Sequence, residues 1–166
     1  GDDWLHVSND WTTSAWADGS TEATLLAALR SGRAWCGSIS GYQGALDLLV
    51  DNSCPMGSAT VSGSATRALR VTATGVPDGG RLELVQGAVD YAGTADPVPT
   101  TAVVTTVPAG ALRAGAVDVQ VDTGQSSFVR SQVRDSGGAL IALSNPVWLL
   151  REALPGGRCV PAARAC

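Results

Sequence analysis

Asp2, Asp3 and His6 are the first residues whose types and spacing suggest chemistry. Carboxylate and imidazole donors within six positions can in principle meet on one divalent ion. The simpler reading is a solvated polar terminus. His6 is the only histidine, so a nucleophilic triad would depend on it alone. No Gly-x-Ser-x-Gly elbow is present, and Ser38-Ile39-Ser40-Gly41 lacks a strand and a helix around it. Asp118 and Asp122 fall on the outward face of a strand, with Asp135 elsewhere. Without a D-x-D-x-D-G loop they read as solubilising surface rather than a calcium site. Gly75-Val76-Pro77-Asp78-Gly79-Gly80 is glycine-rich, but no lysine follows it, and it reads as a turn between strands rather than a phosphate loop. No catalytic residue and no resident cofactor is therefore expected in this chain.

Tryptophans are the next candidates. Trp4, Trp11, Trp16 and Trp35 are four of the chain's five, all in its first quarter. Indole faces stack on sugar rings, so the four are candidate glycan-binding residues. Indoles also bury large areas and dominate packing. Packing into the chain's own core is the favoured reading, ahead of packing on a neighbouring domain and of a sugar platform.

Four cysteines, Cys36, Cys54, Cys159 and Cys166, make an even set in an acidic, lysine-free chain. That usage points to disulfides in an oxidising compartment, extracellular or cell-envelope. Three pairings are open. Proximity favours Cys36 with Cys54 and Cys159 with Cys166. No close C-x2-C pair supports zinc.

The elements that must position these residues follow from periodicity. A helix is predicted over residues 21–31, with Ser20 as N-cap, Glu22 in the first turn, an apolar face of Leu25, Leu26, Ala28 and Leu29, and Gly32 at its end. The segment before it, residues 1–18, shows no period and reads as loop or short extended pieces. After the helix, apolar and polar residues alternate in short runs. Val117, Val119 and Val121 against Asp118, Gln120 and Asp122 is the clearest. Similar runs lie at residues 46–51, 69–74, 81–84 and 129–134, with two more at 139–143 and 147–150. Turns such as Pro77-Asp78-Gly79-Gly80 and Asp135-Ser136-Gly137-Gly138 separate them. This pattern predicts a mostly β protein, an antiparallel β-sandwich of Ig-like build with one N-terminal α-helix.

Composition sets the bounds. The chain has 166 residues, 45% hydrophobic and 16% charged, enough for a core and too few charges for a disordered chain. Net charge is −4, and the 11 basic residues, all arginine, are scattered. Nucleic acid and membrane surfaces are poor partners for such a charge pattern. No apolar run reaches the ~20 residues that cross a bilayer, so no membrane insertion is expected. The opening Gly1-Asp2-Asp3-Trp4, with Met56 as the only methionine, reads as cut from a larger polypeptide. The expected organisation is residues 1–44 as a Trp-rich connector plus helix, 45–152 as the sandwich and 153–166 as a Cys-containing tail.

Several stretches carry a resemblance. Ser20-Thr21-Glu22-Ala23, then Leu25 to Trp35 through Leu29-Arg30-Ser31-Gly32-Arg33, resembles the helix that follows the catalytic core of PHP-domain (polymerase and histidinol phosphatase superfamily) phosphoesterases. Leu46-Asp47-Leu48 … Met56-Gly57, Leu69-Arg70-Val71, Phe128-Val129-Arg130 … Val133-Arg134 and Ala142-Leu143-Ser144-Asn145-Pro146-Val147-Trp148 look like the rest of that same region, so the resemblance runs from about Trp11 to Leu150. The family's last ligand motif, Asp-x-His, is not matched by Asp3-Trp4-Leu5-His6, so no catalytic residue carries over. The resemblance implies a non-catalytic accessory domain behind a metal-dependent hydrolase barrel. Its partner would be that upstream domain of the same polypeptide, which would hold Mn, Zn or Fe. The alternative from a different class is a secreted carbohydrate-binding module using the tryptophans, with a glycan as partner.

Overall fold

The computed structural model describes residues 10–89 and 100–153. Among the described residues, twelve strands and two helices follow in chain order. They are β1 (Trp11–Ala15), α1 (Glu22–Arg30), β2 (Ala34–Ser38), β3 (Leu46–Val50), β4 (Cys54–Pro55), β5 (Ala59–Val61), β6 (Thr66–Ala73) and β7 (Arg81–Ala88). Then come β8 (Thr101–Pro108), α2 (Ala109–Ala114), β9 (Val117–Asp122), β10 (Ser127–Arg134), β11 (Leu140–Ser144) and β12 (Val147–Leu150). The protein is mostly β, as the alternation predicts, with two helices rather than one.

The strands form a sheet of four, β4-β3-β6-β9, and a sheet of eight. In the larger sheet β10 is central. Along one side it pairs with all of β7, which pairs in turn with β8. Along the other side it meets β12 through Ser127–Val129 and β11 through Gln132–Arg134. Asn145-Pro146 separates those two strands. Proline has no amide to donate, so the ladder breaks there. Each half then takes its own outer neighbour. β11 pairs with β2, which pairs with β1. β12 pairs with β5, the one parallel pair among otherwise antiparallel ladders.

One core fills the space between the sheets. Leu46, Leu48 and Val50 of β3 and Leu69 and Val71 of β6 enter it from the small sheet. Leu82, Leu84, Val129, Val133, Val147 and Leu149 enter from the large one. The alternation read in the sequence thus selects the buried face of β3, β6, β7, β9 and β10. The segment before Gly44, read as a connector with a helix, supplies β1 and β2 to the large sheet.

Two expectations are corrected in detail, and one is sharpened. The N-cap of α1 is Thr21, not Ser20. The Thr21 side chain accepts the Thr24 amide while the Thr24 hydroxyl accepts the Thr21 amide, which closes a capping box one residue later. The piece from Trp11 to Ala15 is a regular strand, because it has an edge to pair with rather than a period to show. The favoured Cys36–Cys54 disulfide is not formed, and no disulfide joins two described residues. Cys36 is a free thiol in β2, half-buried with its sulfur 3.5 Å from the Thr13 hydroxyl. Cys54 is buried in β4 and disulfide-bonded, with its partner outside the described residues. Cys159 and Cys166 also lie outside them. Among the described residues, no helix is long and apolar enough to cross a membrane.

Candidate functional site

The tryptophans do not make a single platform. Cross-strand partners share a face and neighbours along a strand alternate. Trp35 faces Ser14 across β1 and β2, so Trp11, three residues before Ser14, points to the opposite side of the sheet. Trp35 belongs to the core and is 8% exposed. Trp16, just past β1, leans on it with ring centroids 5.4 Å apart and planes at 40°. That tilted contact suits the aromatic quadrupole. The Trp16 indole N–H donates to the Leu46 carbonyl at 2.8 Å, and its backbone N–H donates to the Arg33 carbonyl at 2.9 Å. The first ties the large sheet to the start of β3, so Trp16 bridges the two layers. One part of its ring stays in solvent, at 37% exposure. Trp4, Asp2, Asp3 and His6 lie outside the described residues.

Charged residues flank the backbone carbonyls that Trp16 binds. Arg33 approaches Asp18 at 3.8 Å, and its Nε is buried without a hydrogen-bond partner. Asp47 is half-buried beside Leu46. Burial pushes its carboxyl above the usual carboxylate range, against the Leu48 amide and the Arg33 charge, which both favour the ionised form. An aromatic face, a guanidinium and a partly desolvated carboxylate thus lie at one end of the sandwich.

Helix α1 sits at this same end, after Trp16 and before Arg33. It contributes little to the core. Ala28 is its only buried residue, while Leu25, Leu26 and Leu29 are 44%, 39% and 48% exposed. Its C-terminus is nevertheless fixed. Gly32 takes φ +71°, and the Asn145 side-chain amide donates to the Gly32 carbonyl at 3.1 Å. The Asn145 backbone N–H donates to the Ala34 carbonyl. The apolar stripe predicted for this helix therefore exists, on a rigid support, and faces solvent.

The remaining acidic candidates hold the fold together. Asp118 pairs with Arg70 at 3.5 Å. Asp122 accepts the Gly124 amide and Asp135 accepts the Ala139 amide, each shaping a turn. No group of three His, Cys, Asp or Glu able to hold a metal gathers among the described residues.

Sequence reasoning missed one group, the outward side of the large sheet around Glu83. This carboxylate is only 6% exposed. It accepts from Arg81 Nε, Arg134 Nε and Gln132 Nε2, each at 2.8 Å. Burial raises its pKa, but those three donors outweigh burial and hold it down to about 2. The alternation of β7 marks Glu83 as outward and therefore wet. The cross-strand register with Gln132 and Arg134 is what encloses it, and no local pattern encodes that. Comparison with protein-family models, with curated proteins and with solved structures found no match for this chain.

Proposed function

We propose that this chain is a non-catalytic accessory domain of a larger secreted or cell-envelope polypeptide, docked on an upstream hydrolase domain of the PHP-phosphoesterase kind. The observation that carries the reading is α1. Three leucines on a nine-residue helix face solvent while a single alanine holds it to the body. A contiguous apolar stripe of that kind is the usual mark of an interaction surface. Two of the stretches that carry the family resemblance meet at its base, where Asn145 binds Gly32. An Ig-like sandwich is the finer form of the fold in this proposal. Its support is two sheets over one core, although the split strand and the parallel β12–β5 pair depart from the usual seven or nine antiparallel strands. Any Mn, Zn or Fe would belong to the upstream domain.

The test compares this chain with the longer polypeptide. Amide exchange and leucine methyl signals of α1 should become protected in the longer protein. Phosphoester hydrolysis with Mn²⁺ or Zn²⁺ should appear only there. Equal exposure of Leu25, Leu26 and Leu29 in both proteins would remove the docking reading.

One observation favours a second reading, a carbohydrate-binding module. Trp16 is 37% exposed, and the backbone carbonyls it binds belong to Arg33 and to Leu46, the neighbour of Asp47. A glycan bound there would protect Trp16 fluorescence from a soluble quencher.

A further inference from the structure

The outward side of β10 carries Phe128, Arg130, Gln132 and Arg134, since Val129, Ser131 and Val133 fill the core side. Arg134 and Gln132 are engaged by Glu83. Arg81 joins them from β7. Arg130 is left over. It stands opposite Val85, one step along the face from the Glu83 group. It is half-buried, and its Nε is shielded from solvent with no hydrogen-bond partner. Among the described residues it makes no ion pair, although Arg33, Arg67, Arg70, Arg81, Arg113 and Arg134 all do.

A guanidinium is a fork of donors that matches a carboxylate, sulfate or phosphate. Leaving such a group partly desolvated and unpaired is costly. The charges around it are complementary to an anion. Arg81, Arg130 and Arg134 share this face with one carboxylate, and both oxygens of that carboxylate are already taken. Two aromatic residues lie on the same face of the sheet. Trp148 is directly across from Phe128, one same-face step from Arg130, roughly 7 Å along the strand. The Phe128 ring is packed over Gly87, where a Cβ would come within 2.6 Å of it. That packing pins the ring toward β7.

We infer that this outward face, centred on Arg130, binds a ligand that presents an anionic group beside an apolar ring face. The anion sits on the Arg130 fork, and the ring rests toward Trp148 and Phe128. Acidic saccharides have this chemistry, and inorganic sulfate presents its charged part alone.

The test is an NMR titration of the intact chain with sodium glucuronate and, separately, sodium sulfate, with ionic strength held constant by chloride. Through-bond correlation from the Arg130 backbone amide in the wild-type protein assigns its Nε–H signal, the reporter. Both probes should shift that signal saturably, glucuronate at lower concentration than sulfate. Affinity for each should fall at least tenfold in Arg130→Gln and remain unchanged in Arg30→Gln, which removes an exposed arginine at the end of α1. An Arg130 signal that neither probe moves beyond chloride overturns the inference. So does unchanged affinity in Arg130→Gln. Because the wild-type signal is read directly, misfolding of the variant does not decide the outcome.

Discussion

Asn145 Nδ2 lies 3.1 Å from the Gly32 carbonyl oxygen and donates to it across 113 positions of sequence. This bond joins the end of α1 to the break between β11 and β12. Gly57 closes the same point, because its amide donates to the Pro146 carbonyl at 2.8 Å. Three chain segments therefore cross where Gly32 and Gly57 nearly touch, and neither position has room for a side chain. A Cβ on Gly57 would fall 2.1 Å from the Ser31 carbonyl oxygen and 2.6 Å from the Gly32 Cα. What looks like a helix terminator followed by a strand ending is one junction.

Gly57→Ala is expected to destabilise the protein by at least about 2 kcal/mol. The obstruction is backbone, which cannot rotate away, and φ at this position is +86°. Gly110→Ala is the matched control inside α2, where nothing lies within 4 Å of an added Cβ. It should stabilise by about 0.5–1 kcal/mol through helix propensity. Urea midpoints of the two variants should move in opposite directions. A Gly57→Ala midpoint equal to wild type would show that the junction is looser than described.

Glu83 gives a pH dependence with a definite sign. Its folded pKa of about 2 lies below the ordinary value of 4.5. Its contribution is thus fully present above about pH 4.5 and is lost as pH falls toward 2. The most this shift can contribute is about 3 kcal/mol. Glu83→Gln should be less stable than wild type at pH 6. The gap should close in acid, since wild type loses stability through that window and the variant does not lose this part. A constant gap from pH 6 to pH 2.5 would contradict the assignment.

Periodicity made the central strands legible. Leu46, Leu48 and Val50, or Val117, Val119 and Val121, must face a core whatever the topology, so alternation alone places them. Thr101–Pro108 escaped, because an edge strand exposed along most of its length has no alternation to show. Trp11–Ala15 escaped because its half-buried and exposed residues do not alternate. The helix was legible through its caps and its leucines, but its orientation was not. An apolar stripe states that a face wants a partner, and only the three-dimensional structure shows that Leu25, Leu26 and Leu29 stay 39–48% exposed. Glu83 and Arg130 were invisible as a group, since their meaning lies in the register of β7 against β10.

Trp16→Ala should lose the bond to Leu46 and the packing against Trp35, at a cost of about 2–3 kcal/mol. Deletion of residues 1–18 should cost more, because it also removes β1 and leaves the outer edge of β2 without its partner. Thermal melts order the three proteins, wild type first, Trp16→Ala second and the deletion last. Unchanged melting of the deletion would mean that the segment contributes nothing to the fold. Iodide quenching adds a second readout, in which Trp16→Ala removes a quenchable component and leaves the buried Trp35 protected.

Cysteine chemistry separates the pairing suggested by proximity from the one in the structure. Cys36 is a free thiol and Cys54 is not. A Cys36–Cys54 bridge would close a short loop around β3, yet the two cysteines belong to different sheets, β2 in the large and β4 in the small. Sequence proximity therefore does not mean spatial proximity here. Unfolding in iodoacetamide without reductant should alkylate Cys36 and leave Cys54 unmodified. Reduction first should expose both. In the native protein Cys36 should react slowly, since it is half-buried within β2. Peptide mapping reads each site directly. Joint protection of Cys36 and Cys54 without reductant, with a cross-linked peptide containing both, would restore the proximity pairing. It would also require β2 and β4 to approach one another in a way that the present sheet order does not.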